Sequence, residues 1–392
     1  MSTIKDKYDI IIIGAGPVGL SFAKSLADTG LKILVLEKQP AEQIENPSPD
    51  GREIALTHLS KDILTKLGVW NKIADTDISP LKEAKVINGD FSDSLHFENN
   101  GKSNGALGFL ISNHLIRKAL YESVAPEKNI EIRYDVEIEK FEQKKIILKN
   151  ENIFEAELIA AADSRFSEAR KQMGIKASTY DFNKTMMVLK VEHEKPHNNV
   201  AYECFLYDKT LAILPLSQNF SSAVITIPNE VAGFYKNMPD DELAENISTS
   251  FAEQYGKMKV CSERYSYPLV SVYAESFYKE NFVLLGDAAV GMHPVTAHGF
   301  NFGLRGQNTL ANLIKRNLQI GYPAYTQAAL QEYNKLHKAA TLPFYLTTNQ
   351  IVKLYTNTST SARILRKGLL KLSNKVMPIK NHLTSKLTEI AA

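Results

Sequence analysis

The chain is short of cysteine, and neither sign of charge is in large excess. Its two cysteines, Cys204 and Cys261, lie far apart and have neither zinc-binding nor CxxC spacing. The sequence therefore predicts two reduced core thiols and no metal site. The 46 basic and 44 acidic residues leave a formal net charge of +2. Because that balance gives no electrostatic argument for nucleic acid, we expect no nucleic-acid partner.

Long apolar runs are also missing. A helix that spans a membrane needs about 20 consecutive apolar residues, and no stretch of this sequence approaches that length. The apolar run that begins at Tyr8 is interrupted by Gly14, Gly16 and Pro17, so it does not have the pattern of a secretory signal. We therefore expect a cytoplasmic protein, either soluble or resting on the surface of the inner membrane.

A glycine-rich turn follows the first predicted strand. Tyr8–Ile13 is a short β-branched run, typical of a buried parallel strand, and residues 14–19 fit GxGxxG ahead of a predicted helix. Gly14 permits a tight turn, Gly16 lets the backbone approach a pyrophosphate, and Gly19 allows the helix to pack closely on the strand. The free N–H groups at the helix start favour phosphate. This pattern predicts a dinucleotide-binding turn.

A second apolar strand, Leu31–Leu36, completes the βαβ unit. Glu37 ends that strand at about the spacing expected of an acid that binds ribose hydroxyls, and Lys38 follows it. The unit alone does not separate NAD from FAD.

Two further segments narrow the cofactor. Residues 286–289 (GDAA) follow an apolar strand and are themselves followed by residues 299–304 (GFNFGL). An Asp at the end of a strand can accept hydrogen bonds from ribityl hydroxyls, and a glycine turn before a helix can present N–H groups to a flavin. Residues 161–170 (AADSRFSEAR) place another Asp and two arginines after a strand.

Together, the three segments resemble the class A flavin monooxygenases, the family of para-hydroxybenzoate hydroxylase. Residues 50–56, 67–70, 213–216 and 267–269 are further similar to the ubiquinone-biosynthesis hydroxylases of the UbiH, UbiF and UbiM type, and residues 161–168 to the UbiM branch in particular. The resemblance covers about Tyr8 to Asn308. The DG-type motif departs from the family, with Ala161 and Ser164 in place of glycines, and Val290 replaces the usual His of GDAAH.

The resemblance implies an α/β fold. Its FAD/NAD(P)-binding Rossmann-like domain would be of the para-hydroxybenzoate hydroxylase type, with an inserted, mostly antiparallel β substrate domain and C-terminal helices. Alternating, aromatic-rich patterns between 185 and 227 agree with that insertion. The expected division is an FAD-binding domain at 1–80, 106–178 and 276–325, a β-rich substrate domain at 81–105 and 179–275, and a helical region at 326–392.

The resemblance also implies a reaction. NAD(P)H would reduce FAD, the reduced flavin would trap O₂ as a C4a-hydroperoxide, and oxygen would pass to the ring of a polyprenylated ubiquinone precursor. Three alternatives stay open: another aromatic hydroxylase on this fold, a flavin reductase without oxygen insertion, and an FAD-retaining scaffold of a biosynthetic complex. Other ubiquinone-biosynthesis proteins are expected partners.

Site residues follow from the same resemblance. Arg52 and Asn113 would contact the phosphate and ribityl regions of the flavin, and the backbone of Val136 would meet the adenine. The carbonyl of Pro294 would face the substrate phenol. The expected cofactor-binding set is Gly14, Gly16, Pro17, Val18, Gly19, Glu37, Lys38, Arg52, Asn113, Val136, Asp163, Gly286, Asp287, Gly299, Phe300 and Asn301.

Two further assignments concern proton transfer and the substrate. His293 precedes Pro294, and it is either a wall of the site or a group with a direct proton role. Tyr202, Phe205 and Tyr207 fall on an aromatic-rich predicted strand, where they could line a ring-binding pocket or be ordinary core. We predict His293 and Pro294 as catalytic, and these three aromatic residues as substrate-binding.

The C-terminal region is strongly basic. Residues 351–392 hold eight Lys or Arg side chains against the single acid Glu389, with apolar residues interleaved. A basic amphipathic helix can lie on an anionic membrane, but a solvated or partner-docking helix has the same pattern. Both interpretations stay open.

Overall fold

The computed structural model describes residues 4–98, 105–296, 298–355, 359 and 366. Its main sheet has eight strands, five of them parallel in the order β8-β2-β1-β11-β19. The strands β2 and β19 and the end of β1 are near-continuous apolar runs because both of their faces are buried. The sheet consists of β1 (Ile4–Ile13), β2 (Ile33–Leu36), β8 (Ile130–Arg133), β9 (Ile138–Glu142), β10 (Lys145–Leu148), β11 (Ile153–Ala161), β18 (Tyr278–Lys279) and β19 (Phe282–Leu284).

A second sheet has nine strands, and a third has three. The long strand β12 lies near the middle of the nine-stranded sheet, between β15 and β17. The nine strands are β5 (Glu83–Asn88), β6 (Asp90–Glu98), β12 (Ala177–His193), β13 (Val200–Phe205), β14 (Thr210–Pro215), β15 (Phe220–Pro228), β16 (Met258–Val260), β17 (Tyr265–Ala274) and β20 (Val290–Gly291). The three-stranded sheet pairs β3 (Glu53–Leu56), β7 (Gly108–Ser112) and β4 (Ser79–Leu81).

Nine α-helices accompany these sheets in the described part of the chain. They are α1 (Pro17–Ser25), α2 (Ala41–Glu45), α3 (His58–Lys66), α4 (Asn113–Val124), α5 (Glu168–Gln172), α6 (Asn229–Asn237), α7 (Asp240–Ser250), α8 (Gly299–Gln319) and α9 (Gln327–Tyr355). Within those residues, no helix is both long and apolar enough to cross a bilayer.

The nine-stranded sheet has two different faces. One face packs on α6 and α7 and forms a second core with Met187, Cys204 and Ile225. The other face bears Tyr265 and Tyr267, which lie against the loop before β3. Cys204 is thus a core thiol as predicted. The same prediction was wrong for Cys261, which is exposed just after the short strand β16. The strands of this sheet come mostly from the ranges expected of a β-rich domain, and the division into domains stays a prediction.

The parallel strands determine where the site lies. β1, β11 and β19 end immediately before the predicted glycine and aspartate segments, and β2 ends immediately before Glu37. Since parallel strands share one carboxyl edge, four segments distant in sequence meet there. This edge is the usual ligand-binding position of an open α/β sheet.

Candidate functional site

The GxGxxG turn has the geometry that its three glycines predict. Gly14 has φ +101°, and a Cβ there would lie 2.6 Å from the Ala162 carbonyl oxygen. A Cβ at Gly19 would lie 2.0 Å from the Gly14 carbonyl oxygen, so α1 packs directly on the turn. At Gly16 no described protein atom lies within 4 Å of the Cβ position, which leaves room for a ligand. Pro17 is the first residue of α1.

Glu37 fixes this turn from the neighbouring strand. Its Oε2 accepts a hydrogen bond from the Ala15 N–H at 2.6 Å, and its Oε1 accepts one from the Gln39 N–H at 2.9 Å. The side chain is buried, whereas Lys38 is exposed. A carboxylate has about four lone-pair sites, so Glu37 can still accept from a ribose hydroxyl.

Val136 lies beside Glu37 at one wall of an open cleft of about 510 Å³. Its N–H donates to the Glu37 carbonyl at 2.9 Å, so this donor is already used by the protein. Of the two backbone groups of Val136, only the carbonyl therefore remains for the expected contact with adenine.

The second glycine turn packs against the first. Gly286 has φ +57°, and the Val18 side chain lies 3.0 Å from its Cβ position and 2.6 Å from that of Gly303. Val18 thus fills the space between α1, the Gly286–Asp287 turn and α8. The Asp287 carboxylate accepts from Arg165 at 2.8 and 3.2 Å.

The altered DG-type segment keeps the backbone that a glycine would favour. Ser164 has φ +84°, a left-handed conformation that costs a non-glycine residue roughly 1–2 kcal/mol. Asp163 is largely buried, and burial is the main cause that raises the pKa of its carboxyl, against hydrogen bonds from Ser167 and Ala169 that lower it. Its Oδ1 is buried and finds no hydrogen-bond partner among the described residues. An orphaned acceptor at this edge fits a hydroxyl-bearing ligand.

Two arginines hold the DG-type segment in place through hydrogen bonds. Arg170 donates to the Ala288 carbonyl at 2.8 Å and to the Arg165 carbonyl at 3.2 Å. Arg165 in turn donates to the Val270 carbonyl at 2.9 Å as well as to Asp287. The substitutions at Ala161 and Ser164 therefore leave the segment tied to the Gly286–Asp287 turn.

Asp50 organises the loop before β3. Its carboxylate accepts from the Arg52 guanidinium at 2.6 and 3.1 Å and from the Asn113 amide at 2.8 Å. Burial alone would raise the pKa of Asp50, but the hydrogen bonds and the charge of Arg52 together lower it. Tyr267 donates to the Asp50 carbonyl at 2.7 Å, and the Arg52 guanidinium lies 5.2 Å from the Tyr267 ring centroid. Arg52 and Asn113 are thus brought together, as expected.

Pro294 and His293 lie in the segment ahead of α8. Pro294 is exposed, whereas His293 is buried and packs edge-on against Phe182 at 4.7 Å. Burial first, then the charges of Lys184 and Arg165, lower the pKa of His293 to about 3. His293 is therefore neutral at physiological pH, and its Nδ1 accepts from the Val295 N–H at 3.2 Å. The proton then lies on Nε2, a buried donor with no partner among the described residues.

At the start of α8, Gly299 has open space around it, and Asn301 is held by hydrogen bonds. No described protein atom lies within 4 Å of the Cβ position of Gly299. The Asn301 amide donates to the Ala55 carbonyl at 2.8 Å and accepts from the Thr57 N–H at 3.0 Å. The Asn301 side chain thus ties α8 to β3, so the open position at Gly299 is held next to that strand. Phe300 is half-buried and packs on the main core.

The three aromatic residues predicted to bind substrate do not share one face. Tyr202 points towards α7, with its ring 4.8 Å from that of Phe251. Phe205 points to the other face of the sheet, with its ring 4.3 Å from that of Tyr355. Tyr207 lies beyond the end of β13 and is 39% exposed. Tyr202 and Phe205 therefore cannot line one pocket, because side chains three apart on a strand point to opposite faces. Whether any of the three residues binds substrate stays a prediction.

Sequence reasoning missed two long-range contacts of the site and one carboxyl on the nine-stranded sheet. Asp50 was visible only as part of a motif, and its bond to Asn113 joins positions 63 residues apart. The Arg165–Asp287 ion pair joins positions 122 residues apart. The carboxyl of Glu203 lies on the same face as Phe205, and the alternation along β13 could have indicated this once the strand was placed.

Comparison with known proteins identifies the family. A family model described as FAD binding domain matches residues 7–326. Ubiquinone hydroxylase UbiM of Neisseria meningitidis is 42% identical over 97% of this chain and 84% of its own length. Ubiquinone hydroxylase UbiL of Rhodospirillum rubrum is 28% identical over 95% of this chain and 87% of its own.

The fold has solved relatives. The crystal structure of p-nitrophenol 4-monooxygenase PnpA from Pseudomonas putida aligns with a TM-score of 0.76 at 15% identity, covering 98% of this chain and 99% of that one. At that identity the likeness concerns the fold alone. The predicted fold class, the FAD cofactor and the resemblance to ubiquinone-biosynthesis hydroxylases are confirmed by these matches. The chain belongs to the FAD-dependent monooxygenases of the ubiquinone hydroxylase family.

Proposed function

We propose that this chain hydroxylates the aromatic ring of a polyprenylated ubiquinone precursor, with NAD(P)H as reductant and O₂ as the oxygen donor. The observation that carries the proposal is the 42% identity to a ubiquinone hydroxylase over 97% of the chain. One oxygen atom enters the ring, and the other leaves as water with the two electrons of NAD(P)H.

The carboxyl edge of the main sheet fits FAD. The backbone at Gly16 is open, and the N-terminus of α1 offers N–H groups to a pyrophosphate. Pro17 removes no hydrogen bond from α1, because the first N–H groups of a helix have no partner within the helix. Val18 and Gly19 hold α1 against both glycine turns.

The same geometry supports the remaining cofactor contacts of this proposal. Glu37 and Lys38 would hold the adenosine ribose, and the Val136 carbonyl the adenine amino group. Arg52 and Asn113, fixed by Asp50, would meet the phosphate and ribityl regions. Asp163 and Asp287 would accept from hydroxyls, with Gly286 allowing close approach.

The substrate would lie between the flavin ring and the nine-stranded sheet. Bound FAD, once reduced, activates O₂ and supplies the oxygen atom. Gly299, Phe300 and the Asn301 backbone would flank the ring system, and the exposed Pro294 would present its carbonyl to the substrate phenol. His293 is neutral, so its role would be to donate one hydrogen bond from Nε2 rather than to act as a charged acid.

We expect the purified protein to be yellow and to incorporate oxygen from O₂ into a short-chain prenylated phenol. Under ¹⁸O₂ the product mass should rise by two relative to ¹⁶O₂, in step with NAD(P)H consumed. Oxidation of NAD(P)H that yields only hydrogen peroxide would support the flavin-reductase alternative. A flavin-loaded protein without any turnover would support the scaffold alternative.

We further propose peripheral contact between the basic C-terminal region and the inner membrane, with other ubiquinone-biosynthesis proteins as partners and the cytoplasm as compartment. A polyprenylated substrate partitions into lipid, and each Lys or Arg near an anionic surface contributes about 1 kcal/mol. Most of residues 351–392 lie outside the described residues. Arg366, however, is described, and its buried guanidinium donates to the Tyr355 carbonyl.

Changing Lys371, Lys375, Lys380 and Lys386 to Gln together should release the protein from phosphatidylglycerol vesicles, because four favourable charges are removed. The measurement is co-sedimentation at low and high salt. A matched control changes four lysines elsewhere: Lys66, Lys72, Lys128 and Lys236. Equal vesicle binding by the C-terminal variant and the wild type would reject the membrane proposal without touching the hydroxylase proposal.

A further inference from the structure

Glu203 is a carboxyl in apolar surroundings. On β13 it stands opposite Val86 of β5 and Ala212 of β14, and Ala201 and Phe205 flank it on its own face. Among the described residues, no hydrogen bond or ion pair reaches the carboxyl. A carboxyl that gives up part of its hydration without gaining a hydrogen bond from the protein is unfavourable, so a carboxyl in this position needs an explanation.

The side chain borders an internal space. It lies deep within the protein, yet the residue is only half-buried. Together, these two facts indicate that Glu203 lines a cavity or a deep cleft rather than a filled core. A ligand that enters this cavity can therefore contact the carboxyl.

The strand register shows which part of the protein lies against the face of the sheet that bears Glu203. The residue row through Glu203 continues across Ala212, Val224 and Val188 and ends at Tyr265. The neighbouring row runs from Phe205 across Thr210, Thr226 and Met186 to Tyr267. Directly paired residues point to the same side of a sheet. Since Tyr265 packs on Gly51 and Tyr267 bonds Asp50, Glu203 lies on the face that borders the flavin-binding loop.

Helix α9 connects this face to the start of α8. Its last residue, Tyr355, packs on Phe205 at 4.3 Å, two residues from Glu203. Earlier in the helix, Phe344 stacks on His298 at 4.9 Å, and α9 also contacts the Pro294–Thr296 turn. The cavity wall that bears Glu203 and the turn that bears Pro294 are thus covered by one helix.

We propose that Glu203 is a specificity-determining residue, which in its neutral form donates a hydrogen bond to an oxygen substituent on the aromatic ring of the substrate. This inference rests on the proposed function and names the ring chemistry that the site selects: a phenol bearing a second oxygen, as hydroxyl, methoxy or carbonyl. A site that pairs a buried polar group with a substrate oxygen rejects the analogue without that oxygen, because the buried group is then left unpaired.

The protonation state of Glu203 agrees with a donor role. Burial raises the pKa of its carboxyl to about 8, so the neutral acid predominates at pH 7. The titratable groups on this face in the adjoining elements are Tyr207, Tyr355 and Arg366, whose guanidinium lies over both tyrosine rings. Lys85 and Tyr202 point to the opposite face. Raising the pH through 8 removes the donated proton and should weaken substrate binding.

The test compares two substitutions with two substrates in the full-length, FAD-loaded protein. The substrates are a short-chain prenylated methoxyphenol and the same phenol without the methoxy group. Glu203→Leu should raise KM for the methoxyphenol at least about tenfold, the effect of one lost hydrogen bond of roughly 1.5 kcal/mol, with KM for the simpler phenol unchanged. Glu203→Gln keeps a donor and should retain a KM within about threefold of wild type.

The pH profile separates this role from a structural one. In the wild type, KM for the methoxyphenol should rise about tenfold between pH 7 and pH 9, following the pKa of about 8. The Gln variant cannot ionise and should give a flat profile. Glu192→Leu, at an exposed position of β12, is the matched control and should change neither KM.

Two results would overturn the inference. One is an equal KM change for both substrates in Glu203→Leu, and the other is a pH-dependent KM that persists in Glu203→Gln. Flavin content and Tm of both variants show whether they fold. Failure of the wild type to hydroxylate either phenol would contradict the proposed function itself, and substrate binding would then be followed through the flavin absorbance.

Discussion

Gly16→Ala is expected to give a folded protein that no longer retains FAD. The backbone at Gly16 is not in a left-handed conformation, and no described protein atom lies within 4 Å of its Cβ position. The methyl group therefore disturbs nothing in the protein but occupies the space through which a pyrophosphate would approach. Each charge-assisted hydrogen bond lost from the phosphates should weaken binding about tenfold or more. Flavin fluorescence quenching measures the dissociation constant.

Gly19→Ala should act differently. Its Cβ would lie 2.0 Å from the Gly14 carbonyl oxygen, so α1 must move away from the turn. We expect a lower Tm in the absence of FAD as well as lost flavin, since overpacking of this kind costs about 1–3 kcal/mol. Gly233→Ala is the control for both: it lies in α6 with open space around it, and alanine there should be neutral or stabilising. Wild-type FAD affinity in Gly16→Ala would contradict the proposed phosphate position.

Asp50→Asn should have the second large effect, a fall of about 10- to 100-fold in kcat/KM for NAD(P)H oxidation. The carboxylate holds Arg52 and Asn113 at once, and its lowered pKa keeps it charged at neutral pH. An amide offers one acceptor oxygen and no charge, so the guanidinium loses its fixed position. A charged hydrogen bond contributes about 1.5–3 kcal/mol, which corresponds to the expected range. Steady-state kinetics with saturating FAD give the measurement.

A double-mutant cycle tests whether Asp50 acts through Arg52. If it does, the variant that combines Asp50→Asn with Arg52→Ala should be no slower than Arg52→Ala alone, because the two changes remove one interaction. Fully additive losses would show that Asp50 has a separate role. Asp241→Asn, on the exposed side of α7, is the control and should have wild-type kinetics.

The sequence predicted those parts of the site that depend on local backbone geometry. A GxGxxG turn needs only a strand before it, a helix after it and three residues without side chains, and Gly14, Gly16 and Gly19 adopt the expected arrangement. The second turn at Gly286 follows the same local rule. At Ser164 the backbone has a left-handed φ without a glycine, and Arg165 and Arg170, which follow it, tie this segment to the Val270 and Ala288 carbonyls.

Contacts between residues far apart in the chain could not be predicted from the sequence. Nothing near Asp50 indicates that Asn113 would meet it, and nothing near Arg165 indicates Asp287. The direction of a side chain on a strand is a related difficulty. A shift of one residue in register moves a whole strand to the other face, and this is why Tyr202 was grouped with Phe205 while Glu203 passed unnoticed.

The meeting of four distant segments at one sheet edge has a consequence for the order of folding. Gly14 meets Asp163, and Val18 meets Gly286, only after β1, β11 and β19 have paired, and the second of these contacts spans more than half of the chain. Closing loops of that length is slow, and parallel pairing comes late relative to local helices and hairpins. The cofactor therefore has nothing to bind on an early intermediate. Flavin should leave the refolding rate unchanged and slow unfolding instead. The FAD-bound protein should therefore be more stable than the FAD-free protein mainly because its unfolding rate is lower.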